Sequence, residues 1–314
     1  MRTHGTAMLV ARLLVLAALV GLGVADPTVA PAQERLRVLA TLPDLWSITR
    51  ALVGDLGEVQ VATRPGQNPH DLEIRPSQIL LVKRAEILVR NGLEEDAWID
   101  PVIESSGNPR LLRGAPSVIE AVRGLGVLKV RSGPVDRSLG DVHPSGNPHF
   151  TLDPGTMPIV TANIAAGLGR LRPDLAERIE VNRRSFLEDV AAAARRWTEA
   201  LAPHRGAAVV SYHDSWPYFY RAFGFEELGV IEDRPGVPPS PQHLAALIRQ
   251  MRERRAKVVL VESWYPTDTA AAVARAAGAQ VLVVPQSPGA VKGTDTYISH
   301  LDALVAAMAR AMAN

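Results

Sequence analysis

The chain has 314 residues, 47% of them hydrophobic and 21% charged, which fits about two globular domains and excludes a disordered polymer. Thirty-four basic residues nearly cancel 33 acidic ones and aromatics are only 5%, which excludes a nucleic-acid-binding field and a base-stacking platform. With no cysteine, disulfides, zinc-thiolate centres, cysteine-ligated iron–sulfur clusters and a cysteine nucleophile are all ruled out.

The first segment reads as an export signal. Arg2 and Arg12 precede an uncharged, apolar run from Leu13 to Ala25. As a helix this run would be about 20 Å long, short of the roughly 30 Å hydrocarbon core. Ala30-Pro31-Ala32 offers an A-x-A cleavage site, with Gly23-Val24-Ala25 as a second, so residues 1–32 are expected to be a signal peptide. Cleavage there leaves 32 basic and 32 acidic residues, a neutral mature chain. Lacking cysteine, that chain has no lipid anchor, and the periplasm is the expected compartment.

From Leu36 on, short apolar runs alternate with helical patterns, the signature of parallel α/β units. Leu36–Leu42 reads as a buried strand, with Asp44 capping a helix to Val53. Pro76-Ser77 opens a helix, Glu86–Arg90 is a strand, and Trp98–Glu104 is helical. Asp174 to Leu201 then runs 28 residues without Gly or Pro, between Pro173 and Pro203. Leu175, Ile179, Phe186, Val190, Ala193, Trp197 and Leu201 follow a helical period and predict one rigid spine about 42 Å long. Beyond it, strands are expected at Ala207–Tyr212, Lys257–Glu262 and Gln280–Val284, with helices at Gln242–Arg254, Thr267–Ala276 and Tyr297–Met312. The expected class is α/β: an N-terminal lobe over 33–172, a spine over 173–202 and a C-terminal lobe over 203–314, each lobe with a parallel-rich sheet flanked by helices.

Four places carry chemistry. Asn68-Pro69-His70 and Asn147-Pro148-His149 present a histidine from a proline-stiffened loop, which favours a metal ligand because less entropy is lost on coordination. Gly107-Asn108-Pro109 is followed by Arg110, so the same turn also occurs without a ligand. His213 follows a strand at its carboxyl end, where open α/β sheets bind ligands. Asp295 precedes the last helix, as a cap or as an oxygen donor. Glu94-Glu95-Asp96 reads as a solvated helix start. No nucleophile elbow, phosphate loop or H-E-x-x-H motif occurs.

In this order the four places resemble the zinc/manganese ABC-transporter substrate-binding proteins, the cluster A-I metal-binding family. NPHDLEIRPSQ is similar to that family's first-histidine loop, there usually Asp-Pro-His; NPHFTLDP resembles its second-histidine motif. SYHDSWPYFYRAFGF resembles its third, VPPSPQHLAALIRQMRERRAKVVLVES its Pro-Ser-Pro helix and strand, and Asp295-Thr296-Tyr297 its terminal Asp-x-Tyr. The resemblance implies metal ligands at His70, His149, His213 and Asp295, two ahead of the spine and two after it. It implies a closed binding site rather than an enzyme: capture of Zn²⁺ between the lobes and delivery to a membrane ABC permease. A metallochaperone is a further partner the resemblance admits; no nucleic acid is expected, and a monomer is. Glu in place of the third histidine goes with manganese in the family, so His213 points to Zn²⁺, with Mn²⁺ as the alternative. A secreted zinc hydrolase built on the three histidines, and a binding protein for an organic solute in which the histidines are structural, are the competing readings. The family's long histidine-rich loop is reduced here to His143.

Overall fold

The computed structural model describes residues 35–130 and 143–313. The expected signal peptide and its cleavage site lie outside the described residues.

In chain order the elements are β1 (Leu36–Ala40), α1 (Pro43–Val53), β2 (Gly57–Val61), α2 (Pro76–Arg84), β3 (Ile87–Arg90), α3 (Ile99–Ser106), β4 (Val118–Glu120), α4 (Met157–Leu171) and α5 (Ala176–Leu201). Then follow β5 (Ala208–Ser211), α6 (Pro217–Phe223), β6 (Glu226–Val230), α7 (Pro241–Glu253), β7 (Val258–Glu262), α8 (Asp268–Ala277), β8 (Gln280–Val284) and α9 (Tyr297–Ala313). All pairings are parallel, and the two sheets share one plan: order β2-β1-β3-β4 in the first and β6-β5-β7-β8 in the second. The two-sheet α/β architecture expected from the alternation is therefore present.

Burial explains the local sequences. Strands β3, β5 and β7 are buried along their whole length, which is why they read as continuous aliphatic runs. The outer strand β2 alternates half-buried and exposed residues and carries Glu58 and Gln60. Gly57 stands opposite Leu36, and a β-carbon there would come within 2.4 Å of the Leu36 carbonyl oxygen, so only glycine allows this register.

The spine is α5, 26 residues long, preceded by a single 3₁₀ turn at Pro173–Leu175. All seven residues that set its period are buried, Ile179 and Ala193 completely. They join a single hydrophobic core that includes Leu45 and Ile48 of α1, Val209 and Val258 of the second sheet, Phe219 of α6 and Leu301 of α9. One face of each sheet thus packs into this shared core, while separate clusters around Leu88 and Ile103 at the first sheet and Val259 and Leu247 at the second cover the other faces. Among the described residues, no helix is long and apolar enough to cross a membrane.

Candidate metal site

The two sheets present the loops at their carboxyl ends to a common space. His70 lies in the segment after β2, His213 two residues beyond β5, and His149 just before the turn Phe150–Leu152.

The two Asn-Pro-His segments fold alike. The side-chain oxygen of Asn68 accepts the backbone N–H of His70 at 3.1 Å, and that of Asn147 accepts the N–H of His149 at 3.1 Å. Each is a side-chain-closed turn around a proline, which fixes the histidine backbone without help from neighbouring strands. In the first-histidine loop it is the Asn68 amide oxygen that closes the turn. Asn147 goes further: its oxygen lies 3.2 Å from Nδ1 of His149 and its amide donates to the Asp214 carbonyl at 2.6 Å. Asn108, in the third Asn-Pro turn, instead donates to the Val82 and Ala85 carbonyls and ties down the end of α2.

His213 is 4% exposed, and its Nδ1 lies 2.9 Å from Oε2 of Glu232, at the end of β6. That carboxylate accepts a hydrogen bond from Nδ1–H, which favours the tautomer that leaves the Nε2 lone pair open to a metal. The imidazoles converge: ring centroids of His70 and His213 are 5.2 Å apart, His70 and His149 6.0 Å, and His149 and His213 6.1 Å. One ligand atom from each of His70, His149 and His213 lies within 4.8 Å of the other two, and a single cation can bring three donors to that spacing.

Two further residues stand there that sequence reasoning did not place. Glu95 is 5% exposed; its Oε2 lies 3.8 Å from Nε2 of His70 and 3.4 Å from Nε2 of His143, while its Oε1 lies 3.9 Å from Nε2 of His149. His70, Glu95 and His143 form a second group with ligand atoms within 4.8 Å of one another. The acidic run that carries Glu95 is not a solvated helix start. Asp96 is fully buried and holds Arg90, the Asn91 backbone N–H and the Thr41 hydroxyl. Leu93 and Glu94 adopt left-handed backbone, φ 55° and 63°, after Gly92 at 88°. That conformation is costly for residues with a β-carbon, and strain of this kind collects at functional sites. The signal available in the sequence was only the Asn91-Gly92 turn.

Electrostatics favour neutral ligands. Burial, followed by the nearby His70, His213 and His143, holds His149 well below the usual imidazole range, so the ring stays neutral with one nitrogen lone pair open to a metal. Burial pushes the Glu95 carboxyl up, against the pull of His70 and His213. Around the histidines, a cavity of about 280 Å³ is lined by His143, His149, His213 and Glu232, and a smaller one of about 50 Å³ by Asp44, Glu95, His149 and Gln286.

The sequence matches the family described as the zinc-uptake complex component A, periplasmic, over residues 38–311. The chain belongs to that family. Zinc-uptake component A proteins are periplasmic metal-binding parts of transport systems rather than enzymes, and the hydrolase reading falls with that membership. The chain is 26% identical over 285 residues to the iron-binding protein YfeA of Yersinia pestis, covering 88% of this chain and 86% of that one. It is 25% identical over 283 residues to the high-affinity zinc uptake system protein ZnuA of Yersinia pestis, covering 85% and 88%. A manganese-bound periplasmic metal-binding protein from Candidatus Liberibacter asiaticus shares the fold at TM-score 0.74 and 20% identity, over 88% of this chain and 99% of that one.

Among the places this component-A chain was expected to use, Asp295 stands apart. It is exposed, in the turn ahead of α9, and belongs to neither group of donors. Nor does it cap the helix: the Thr296 hydroxyl accepts the N–H of Ser299 at 3.1 Å and Ser299 Oγ accepts the N–H of Thr296 at 3.0 Å, a reciprocal box that leaves Asp295 outside. Asp214 is likewise engaged elsewhere, 2.5 Å from Lys129 Nζ, and Glu262 accepts the indole N–H of Trp216 at 2.9 Å.

Proposed function

We propose that this protein captures one divalent cation, Zn²⁺ first, at His70, His149 and His213, in the periplasm, and delivers it to a membrane ABC permease. The observation that carries this reading is the convergence of three imidazole donors, from segments 143 residues apart, within 4.8 Å of one another. Borderline nitrogen donors suit Zn²⁺ at about 2.0–2.1 Å and would hold it more tightly than Mn²⁺ in the ordinary affinity order. Mn²⁺ is the second reading, favoured by the hard carboxylate oxygen that Glu95 adds to the imidazoles. Export through the cleaved segment 1–32 and action as a monomer complete it.

Titration of the purified mature chain with Zn²⁺ and Mn²⁺, followed by calorimetry and by melting temperature, tests this. One equivalent of Zn²⁺ should bind, with Mn²⁺ weaker, and at a hundredfold excess over Kd the bound ion should add about 2.7 kcal/mol of stability. Replacing His70 or His149 by Ala should weaken binding at least a hundredfold. A chain that takes up neither ion sinks the reading.

A further inference from the structure

The site holds five donors: His70, His149, His213, Glu95 and His143. A tetrahedral ion takes four. The donors are unevenly divided, since four of them precede the spine helix and only His213 follows it. His143 and His213 stand equally far from His70, with ring centroids 5.2 Å apart in each case. His70 belongs to both groups of donors, and one imidazole nitrogen binds one ion. The shared His70 leads us to read the two groups as alternative seats for one cation.

Resting on the capture reading above, we propose that Glu95 is the anionic ligand of the site, and that His143 takes the place of His213 when the second sheet's loop withdraws. The ion would then remain held by His70, Glu95 and His143, all ahead of the spine, while its link to the second sheet is broken. Cargo is kept during opening and released only when this first-sheet set is itself disturbed.

Glu95 meets the requirement for such a ligand. It is buried, its Oε2 accepts no hydrogen bond among the described residues, and that atom points between His70 and His143. A dication on neutral imidazoles alone would bury two uncompensated charges; a carboxylate halves that. Asp96, next in the chain, is consumed by Arg90 and the backbone, which fixes the direction in which Glu95 projects. His143 lines the larger cavity with His213, so an imidazole already stands beside the place that His213 would vacate.

The test is zinc affinity, by competition with a chelator, for the full mature chain and for His213→Ala, His143→Ala, the double variant and Glu95→Gln. Circular dichroism confirms that each is folded. The proposal expects His213→Ala to keep one equivalent of zinc, His143→Ala alone to weaken it less than fivefold, and the double variant to fall at least tenfold below the product of the two single effects. Glu95→Gln should weaken zinc at least tenfold, both alone and with His213→Ala. Cobalt(II) gives a second readout: the visible bands of the His213→Ala complex should change when His143 is also removed. If adding His143→Ala to His213→Ala changes affinity less than twofold, or Glu95→Gln binds like the parent, this assignment is overturned while metal capture stands. If the parent chain itself takes up no cation, the capture reading fails, and this assignment with it.

Discussion

Glu232 Oε2 lies 2.9 Å from Nδ1 of His213, and the pair joins the ends of two neighbouring strands, β5 and β6. The carboxylate stands outside the ring of donors, yet it decides which imidazole nitrogen carries the proton. Glu232 also accepts the backbone N–H of Gly236 at 3.0 Å, so the orienting group is itself held. Glu232→Gln preserves shape but offers either a weaker acceptor or a competing donor to that nitrogen. Zinc affinity should fall about ten- to a hundredfold with the melting temperature of the metal-free chain little changed, as calorimetry and a thermal scan would show. An unchanged affinity would remove Glu232 from the account.

The two Asn-Pro-His turns make a graded pair. Asn68 closes its turn with one hydrogen bond to His70, whereas Asn147 serves His149 twice and also reaches Asp214. Asn147→Ala should therefore cost about 1–3 kcal/mol in denaturant unfolding, because buried partners lose their acceptor or donor, and should weaken zinc at least tenfold. Asn68→Ala should cost about 1 kcal/mol or less. Equal losses from the two variants would contradict the difference in their bonding.

Asp295 provides a control. It is exposed and outside both donor groups, and the helix behind it is capped by Thr296. Asp295→Ala should bind zinc within about twofold of the parent, since exposed substitutions away from special features are close to neutral. A tenfold loss would restore this carboxylate to the coordination sphere.

His300 sets a pH dependence independent of metal. It is 3% exposed in α9, and burial lowers its pKa to about 4. Between that value and the ordinary 6.5, the unfolded chain binds a proton that the folded chain refuses, so stability falls as pH drops through this window. The loss from this group approaches about 3 kcal/mol near pH 4 and is absent above pH 7. Urea unfolding of the metal-free chain at pH 7.5, 6 and 5 should show the decline, and His300→Leu should flatten it. If the two slopes match, His300 is not the source.

How much of this was written in the sequence depends on burial. The central strands β1, β3, β5 and β7 were legible because they are buried except at Arg37 and most of their residues are aliphatic. Of the four outer strands only β8, with Val-Leu-Val-Val, gave such a run. Strands β2, β4 and β6 are short and half-exposed, with glutamates among their residues, and were not expected. Helix α4 escaped notice as well, since its prolines and glycines blur the period. His70, His149 and His213 were legible from local context: a proline-stiffened turn for two, a strand end for the third. Glu95 was not, because its burial comes from strands and loops distant in the chain, and Glu94-Glu95-Asp96 has the composition of a wet surface. Only folding separates the three: Glu94 is exposed, Glu95 faces the histidines and Asp96 anchors Arg90.

The shared interior around α5 has a consequence for the durability of the protein. Trp197, Phe186 and Ile179 are buried in the same apolar mass as residues from both sheets, and this shared core is larger than the separate cluster that each sheet keeps on its other face. Heat or denaturant should melt the described body in a single all-or-none step, with no half-structured species for proteases to trim. With no cysteine, and so no disulfide to restrain it, the chain would depend for survival chiefly on that shared hydrocarbon-like interior, with any bound cation adding weight to the same transition.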